Sequence, residues 1–431
     1  MTVLAEANAP MATQMRWNWR LVLACFLAAS ASLPIAMMSI GKLLLFLAAL
    51  GWLGASLARG PADYALAALR STRVVLLTLL VFAASLLWTD ADIATASMAL
   101  VKHGKLLVIV LMVCLIRTRA EGQIALMAFA VGQFSLLALS WLVAAGIELP
   151  FLPTNLGRGV VFSSYLDQGV IVATSAAIFW HLQPLCRTKP LWPRWLAAVF
   201  VFAALASVLL VLIGRTAYVI VLALFGLAAV WALPARLRLA AMLGVPLLAA
   251  AVLFLASSHL PSRVTMLITE SKDFSEKADV STSAGWRLNA WQRSAEAIAE
   301  SPFVGHGVGA WTTTVKRLQG ENGIEVFGSG SLSNPHQEYL LWGVELGVGG
   351  TLLLVLLLLV LARDFADFEA PVKRAGISVV MAMAIACLFN SSIYDGLIGD
   401  YFCIVLGLLL ALGLRTQDSL SATRPLIAPH G

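Results

Sequence analysis

Charge is what this chain has least of. Asp, Glu, Lys and Arg make up 12% of its 431 residues, where soluble domains carry about 25%. Set against 60% hydrophobic residues and a mean hydropathy of +0.89, that scarcity excludes an ordinary soluble globule. Cysteine is also scarce. Cys25, Cys114, Cys186, Cys387 and Cys403 fall in apolar stretches or short connections, so neither a disulfide framework nor a C-x-x-C metal spacing is expected. His and acidic residues nowhere cluster at metal-ligand spacing, and no metal or other cofactor is expected. A G-x-x-x-x-G-K-[ST] loop is missing, which argues against ATP as donor. Short alternating segments of the β-barrel kind are missing too. The net charge of +6 and pI near 9.2 come without any basic run interleaved with aromatics, so no nucleic-acid partner is expected.

What the chain does have is apolar runs, from end to end, of the length that crosses ~30 Å of hydrocarbon. Inside lipid every backbone N–H and C=O must be satisfied within the segment, so such runs are helices. About twelve can be drawn, at 20–37, 39–57, 73–89, 105–117, 122–145, 165–182, 194–213, 216–232, 237–256, 338–362, 373–390 and 400–414. The fourth is short for a full span. Arg16 and Arg20 precede the first run, but only four residues separate Arg20 from Cys25, too few for a cleavable signal core. The expected fold is all-α, a polytopic integral membrane protein whose membrane-lipid contacts cover most of its surface.

Lys and Arg collect in short cytoplasmic loops. With the N-terminus inside, 17 of the 29 Lys and Arg fall on the inner side, and seven of the other 12 lie in one long loop, 257–337, where the rule has little force. Both termini are therefore expected in the cytoplasm. The chain divides into spans one to nine over 1–256, a large outer loop subdomain over 257–337, and spans ten to twelve with a cytoplasmic tail over 338–431. Within the loop, 283–300 reads as an amphipathic helix with Trp286, Leu288, Trp291, Ala295 and Ile298 near one face, ended by Pro302. The stretch 305–335 is rich in Gly, Ser and Asn and reads as loop. Ser333-Asn334-Pro335 then reads as a helix start, which puts His336 in a first helical turn.

Polar groups at the edge of apolar spans ask for an explanation, and four gather at the outer face. Arg215 opens a span with almost no loop before it. Two readings stand: a guanidinium snorkelling to lipid phosphate, or a bidentate clamp on a pyrophosphate. Arg287 lies among Trp286 and Trp291, either stacked on Trp291 or acting as a second phosphate-binding cation. His336 suits proton transfer, and the helix N-terminus disfavours its charged form; an interfacial His bonded to water is the plainer alternative. Asp395 is an exposed loop acid or a site residue, with Asp400 close behind. Arg158, Lys105 and Asp167 are weaker candidates of the same kind, the first two as substrate-binding cations. Lys42 and Glu345 are charges in or near spans, and Glu345 falls about two turns below His336. Two arginines and a neutral His on one face suit transfer from an anionic phosphate-activated donor: the arginines stabilise a leaving diphosphate and the His deprotonates a hydroxyl.

His336-Gln337, nine residues, then Gly347-Val348-Gly349-Gly350 resembles the H-[NSQ]-x9-G-x-x-[GTY] signature of bacterial O-antigen ligases. The resemblance implies a GT-C-like glycosyltransferase architecture with one large periplasmic loop. It also implies, in the inner membrane with a periplasmic active site, transfer of O-antigen glycan from an undecaprenyl-diphosphate-linked donor to a lipid A–core acceptor. On it, His336 is the catalytic base and Arg215-Thr216-Ala217-Tyr218-Val219 is similar to the family's R-x3-L motif, with Val in place of Leu. Arg287, followed by Trp291 and Gly305-His306-Gly307-Val308-Gly309, is similar to the superfamily's loop arginine, and Asp395 to a late periplasmic acid. Metal-independent, inverting transfer is implied in the same way. A polymerase or a protein glycan ligase of that superfamily is the nearest alternative. A lipid-linked sugar transporter is the rival from another class, but it favours midplane charge and repeated halves.

Overall fold

The computed structural model describes residues 18–59, 66–150, 152, 157–186, 192–212, 214–256, 265–266, 269–272, 282–319 and 334–423. Every regular element among them is helical: α1 Trp19–Ser30, α2 Ile35–Arg59, α3 Arg70–Ala84, α4 Ile93–Gly104, α5 Leu107–Leu115, α6 Arg119–Ala144, α7 Tyr165–Leu182, α8 Trp192–Leu210, α9 Arg215–Ala232, α10 Arg238–Ala256, α11 Ser283–Glu300, α12 Trp311–Gln319, α13 Glu338–Ala366, α14 Ala370–Phe389 and α15 Gly396–Thr423. Each of the twelve apolar runs is a helix. By length and apolarity, 7 of the described helices qualify singly as spans: α2, α3, α6, α9, α13, α14 and α15. α4 and α5, bent by 40° at their break, add an eighth if they count as one, and α1, α8 and α10 are apolar but shorter. The chain is a polytopic α-helical membrane protein.

Local chemistry sets the boundaries. The run expected over 20–37 ends early, at Ser30, and Pro34 separates it from α2, since proline lacks the N–H to continue a helix. Asn18 caps α1 through the Leu21 N–H at 3.0 Å. Thr118 and Glu121 form a capping box at the start of α6. The short fourth run is α5, and α4 before it is an element the hydropathy did not indicate: Asp92 caps it by accepting from the Ala94 and Thr95 N–H groups. The 305–335 stretch is not all loop either, because Trp311–Gln319 is helical with Trp311, Thr314 and Val315 buried. Ser333 and most of that stretch's Gly-Ser run, like Arg16, Arg187, Lys189 and Arg424 of the basic count, lie outside the described residues.

α15 is the axis of the bundle, buried along nearly all of Gly396–Gln417 and packed against α5, α6 and α14. Asp400, near its start, pairs with Lys42 of α2 at 2.5 Å. At one end of the bundle Arg70 meets Asp364 and Asp367, Arg415 donates to the Ile116 carbonyl, and both Asn18 and Gln417 lie there. The opposite end gathers the connections before α4, before α7, before α9 and before α15, together with α11, α12 and the start of α13. That end holds the candidate site.

Candidate active site

His336 does not lie in a first helical turn, as Pro335 had suggested. The helix starts two residues later, at Glu338, because Gln337 is the capping residue and accepts from the Leu340 N–H at 2.6 Å. Asn334 accepts from the His336 N–H at 2.9 Å instead, closing an Asx turn. His336 is thereby held at φ +50, the only described non-glycine residue in the left-handed region. A left-handed backbone costs a side-chain-bearing residue about 1–2 kcal/mol, and such strain persists where surrounding contacts over-determine it. Here the 390–395 connection does so: Asn390 meets the His336 ring and Ser391 accepts from the Gln337 N–H.

The polar contacts of the imidazole define its tautomer. Asn390 Nδ2 donates to Asp395 Oδ2 at 2.8 Å, so Asn390 Oδ1 faces His336 Nδ1, 2.5 Å away. An amide oxygen only accepts. Nδ1 therefore carries a proton, and in the neutral ring Nε2 is the nitrogen with the lone pair. Asp395 is itself fixed at both oxygens, since Asn334 Nδ2 donates to Oδ1 at 3.3 Å. Burial pushes the Asp395 carboxyl above its usual range, opposed by His336, Lys105, Asn390 and Lys102 around it.

α11 lies over this cluster. Its N-cap Thr282 accepts from the Gly285 N–H, and Glu270 accepts from the Ala284 N–H. The Trp286 ring meets His336 edge to face, centroids 5.1 Å apart, and Trp291 Nε1 donates to the Pro335 carbonyl at 3.1 Å. The buried stripe is Trp286, Ala290, Ser294 and Ala297, rotated from the expected one: Ala295 faces out because the helix packs on α13 rather than on an apolar floor of its own. Arg287 follows Trp286 directly. Burial lowers its guanidinium below the ordinary value; Tyr165 opposes that and Arg215 adds to it, which puts all three within electrostatic reach. Neither Arg287 nor Arg215 has an ion-pair or hydrogen-bond partner among the described residues. Two like charges, partly desolvated and without such a partner among the described residues, suit an anion, with Glu270 also within electrostatic reach of Arg287.

The other candidates sit differently. Lys105 is buried, and its ammonium donates to the Tyr394 and Asp395 carbonyls at 3.2 and 2.5 Å; it holds the loop that carries Asp395. Arg158 is exposed between two left-handed glycines, Gly157 and Gly159. Asp167 lies near enough to Asp395 for their charges to interact. Glu345 does not reach His336. It pairs with His103 at 2.9 Å and accepts from the Gly309 N–H at 2.7 Å, fully buried. Sequence reasoning missed Asn390, Asn334 and Lys102, whose ammonium lies 4.1 Å above the Tyr394 ring. For Asn390 one signal was present: a polar residue closing an apolar run on the side of His336.

The signature glycines have a structural explanation. α13 breaks at Gly347, φ +69 and ψ −165. The break frees the Val344 and Glu345 carbonyls, which accept from the His306 and Gly307 N–H groups at 2.9 Å, while the Val348 N–H donates to the Pro302 carbonyl at 2.8 Å. A Cβ at Gly347 would stand 2.5 Å from the Pro302 oxygen, and one at Gly350 2.1 Å from the Trp342 oxygen. Gly347 thus admits the 302–309 loop into a gap in the helix, Gly350 lets the chain close on the Trp342 carbonyl across that gap, and the loop fixes the end of α11.

Fold and cluster together define a helical membrane protein with an oriented histidine, two neighbouring arginines and a covering helix at one end of the bundle. Residues 198–355, less than half of the chain, match the sequence model of the O-antigen ligase family. The matched stretch takes in Arg215, Arg287, His336 and Gly347 but stops before Asn390 and Asp395. No curated protein matches the chain. The match supports, at a coarse level, an enzyme of the glycosyltransferase-like ligase and polymerase kind.

Proposed function

We propose that the protein is an O-antigen ligase, moving O-antigen polysaccharide from undecaprenyl diphosphate to a sugar hydroxyl of lipid A–core at the periplasmic face of the inner membrane. The reading is supported by one observation: Asn390, turned by Asp395, accepts from His336 Nδ1, so that in the neutral ring Nε2 is the acceptor, beneath a helix whose Arg287 has no ion-pair or hydrogen-bond partner among the described residues. In the reaction, Nε2 takes the proton of the acceptor hydroxyl as its oxygen bonds to the anomeric carbon. The bond from that carbon to the diphosphate oxygen breaks, and its electron pair leaves on the diphosphate. Arg215 and Arg287 stabilise the charge that develops there. Trp286 packs against the imidazole and limits its rotation. The excess of Lys and Arg at the opposite end of the bundle supports a periplasmic site and cytoplasmic termini.

The test is deletion of the gene in its own O-antigen-producing host, with lipopolysaccharide resolved on a gel. Loss of every O-antigen band on core, with lipid-linked polymer accumulating, supports the ligase; a His336→Ala complement present at normal level should not restore the bands. A core bearing a single repeat would point to a polymerase instead, and an unchanged ladder would sink both.

A further inference from the structure

The loop subdomain carries an apolar surface where a water-facing connection would have polar residues. α11 ends at Glu300, which forms an exposed ion pair with Arg317 of α12. Three residues on, Phe303 and Val304 are exposed at 89% and 57%. Neither turns inward, because the backbone around them is held from both sides: Pro302 is bonded to Val348 and the Val304 carbonyl accepts from Trp88 Nε1 at 3.1 Å.

What lies next to this pair shows what covers it. Val348, Leu352, Leu356 and Leu359 form an exposed stripe along α13 below the Gly347 break, and Leu76, Leu77 and Leu80 form one along α3, which packs beside it. On a span, such stripes face acyl chains. Phe303 stands at the upper end of the first stripe and Trp88 at the upper end of the second. The α13 segment from Val348 to Ala366 spans about 28 Å at 1.5 Å per residue, close to the hydrocarbon thickness. The break at Gly347 therefore marks the outer limit of the hydrocarbon, the level where aromatic side chains concentrate. Leu87 and Ile93, 88% and 72% exposed, extend the same surface onto the connection before α4.

We propose that the 302–304 turn is seated in the outer leaflet, with Phe303 and Val304 among lipid acyl chains beside Trp88 and Leu87. The bilayer then fixes the far end of α11 as the Gly347 gap fixes its backbone, and the helix that carries Trp286 and Arg287 rides on the membrane surface. This inference rests on the apolar surface alone and not on the ligase reading.

Power-saturation spin-label measurements on the full-length protein in phosphatidylethanolamine/phosphatidylglycerol nanodiscs test it, in a background with the native cysteines replaced by alanine. Labels are placed singly at Phe303→Cys, Val304→Cys, Leu352→Cys and Glu300→Cys. The expected result is an oxygen-to-nickel-chelate accessibility ratio at 303 and 304 that equals the ratio at 352 and exceeds the ratio at 300 severalfold. A ratio at 303 and 304 equal to that at 300 would overturn the proposal. So would low accessibility to both reagents, which would mean that protein, such as a second copy of the chain, covers the turn. Two label sites keep the outcome readable if one variant fails to fold.

Discussion

Asn390 Oδ1 lies 2.5 Å from His336 Nδ1, and its amide is turned that way by Asp395. The imidazole is thus oriented by a residue 54 positions away in sequence rather than by the helix end beside it. Asn390→Ala should leave either ring nitrogen free to carry the proton. Turnover should fall by about 10²-fold, the lower part of what a positioned base contributes, with the KM for donor unchanged. Steady-state kinetics on a lipid-linked donor separate the two parameters, and an equal change in KM would argue for a merely structural role.

Asp395 gives the site a pH dependence. Burial raises its carboxyl above the usual range, so its contribution to stability is complete below the ordinary carboxylate value and is lost as pH rises through the raised one. Activity runs the other way. Protonated Asp395 no longer accepts from both Asn334 and Asn390, and the amide that orients His336 is released. We expect a protonated-carboxyl infrared band to persist above the ordinary carboxylate range and to vanish in Asp395→Asn. Absence of such a band in the wild type would contradict the burial argument.

Arg215 and Arg287 should act together on one anion. A hydrogen bond to a charged group contributes about 1.5–3 kcal/mol, so Arg215→Ala and Arg287→Ala should each weaken polyprenyl diphosphate binding by about ten- to a hundredfold. Lysine at either position should restore charge without the planar two-donor geometry and recover only part of the loss. Calorimetric titration with a short-chain polyprenyl diphosphate measures this; unaltered affinity in both variants would remove the anion site.

Glu345 joins His103 to the 302–309 loop with both side chains wholly buried. Leaving buried polar groups without their partner costs about 1–3 kcal/mol each. Glu345→Ala should lower the thermal unfolding midpoint in detergent well below that of Glu345→Gln, which keeps an acceptor for the Gly309 N–H.

Gly347→Ala should undock the same loop without touching substrate. The left-handed backbone alone costs about 1–2 kcal/mol, and the new Cβ would stand 2.5 Å from the Pro302 oxygen. Faster proteolytic cutting near Phe303, together with reduced activity, is the expected outcome; a cutting rate like the wild type's would mean that the gap tolerates a methyl group.

The sequence by itself determined the helices and their membrane character. Hydrocarbon imposes its demand locally, residue by residue, so twelve apolar runs read as twelve helices without knowledge of any contact, although hydropathy missed α4 and α12, whose apolar faces are narrow. The chain also named His336, Arg215, Arg287 and Asp395, because a polar group at the edge of an apolar run is costly enough to stand out. Which of these meet was decided only by the tertiary structure. Asn390 orients His336 across 54 residues and His103 pairs with Glu345 across 242. Lys105 donates to two loop carbonyls, and Gly347 opens a helix to receive a loop. Those outcomes depend on where packed helices place donors opposite acceptors, and a hydrogen bond's direction is a property of that packing rather than of either residue's position in the chain.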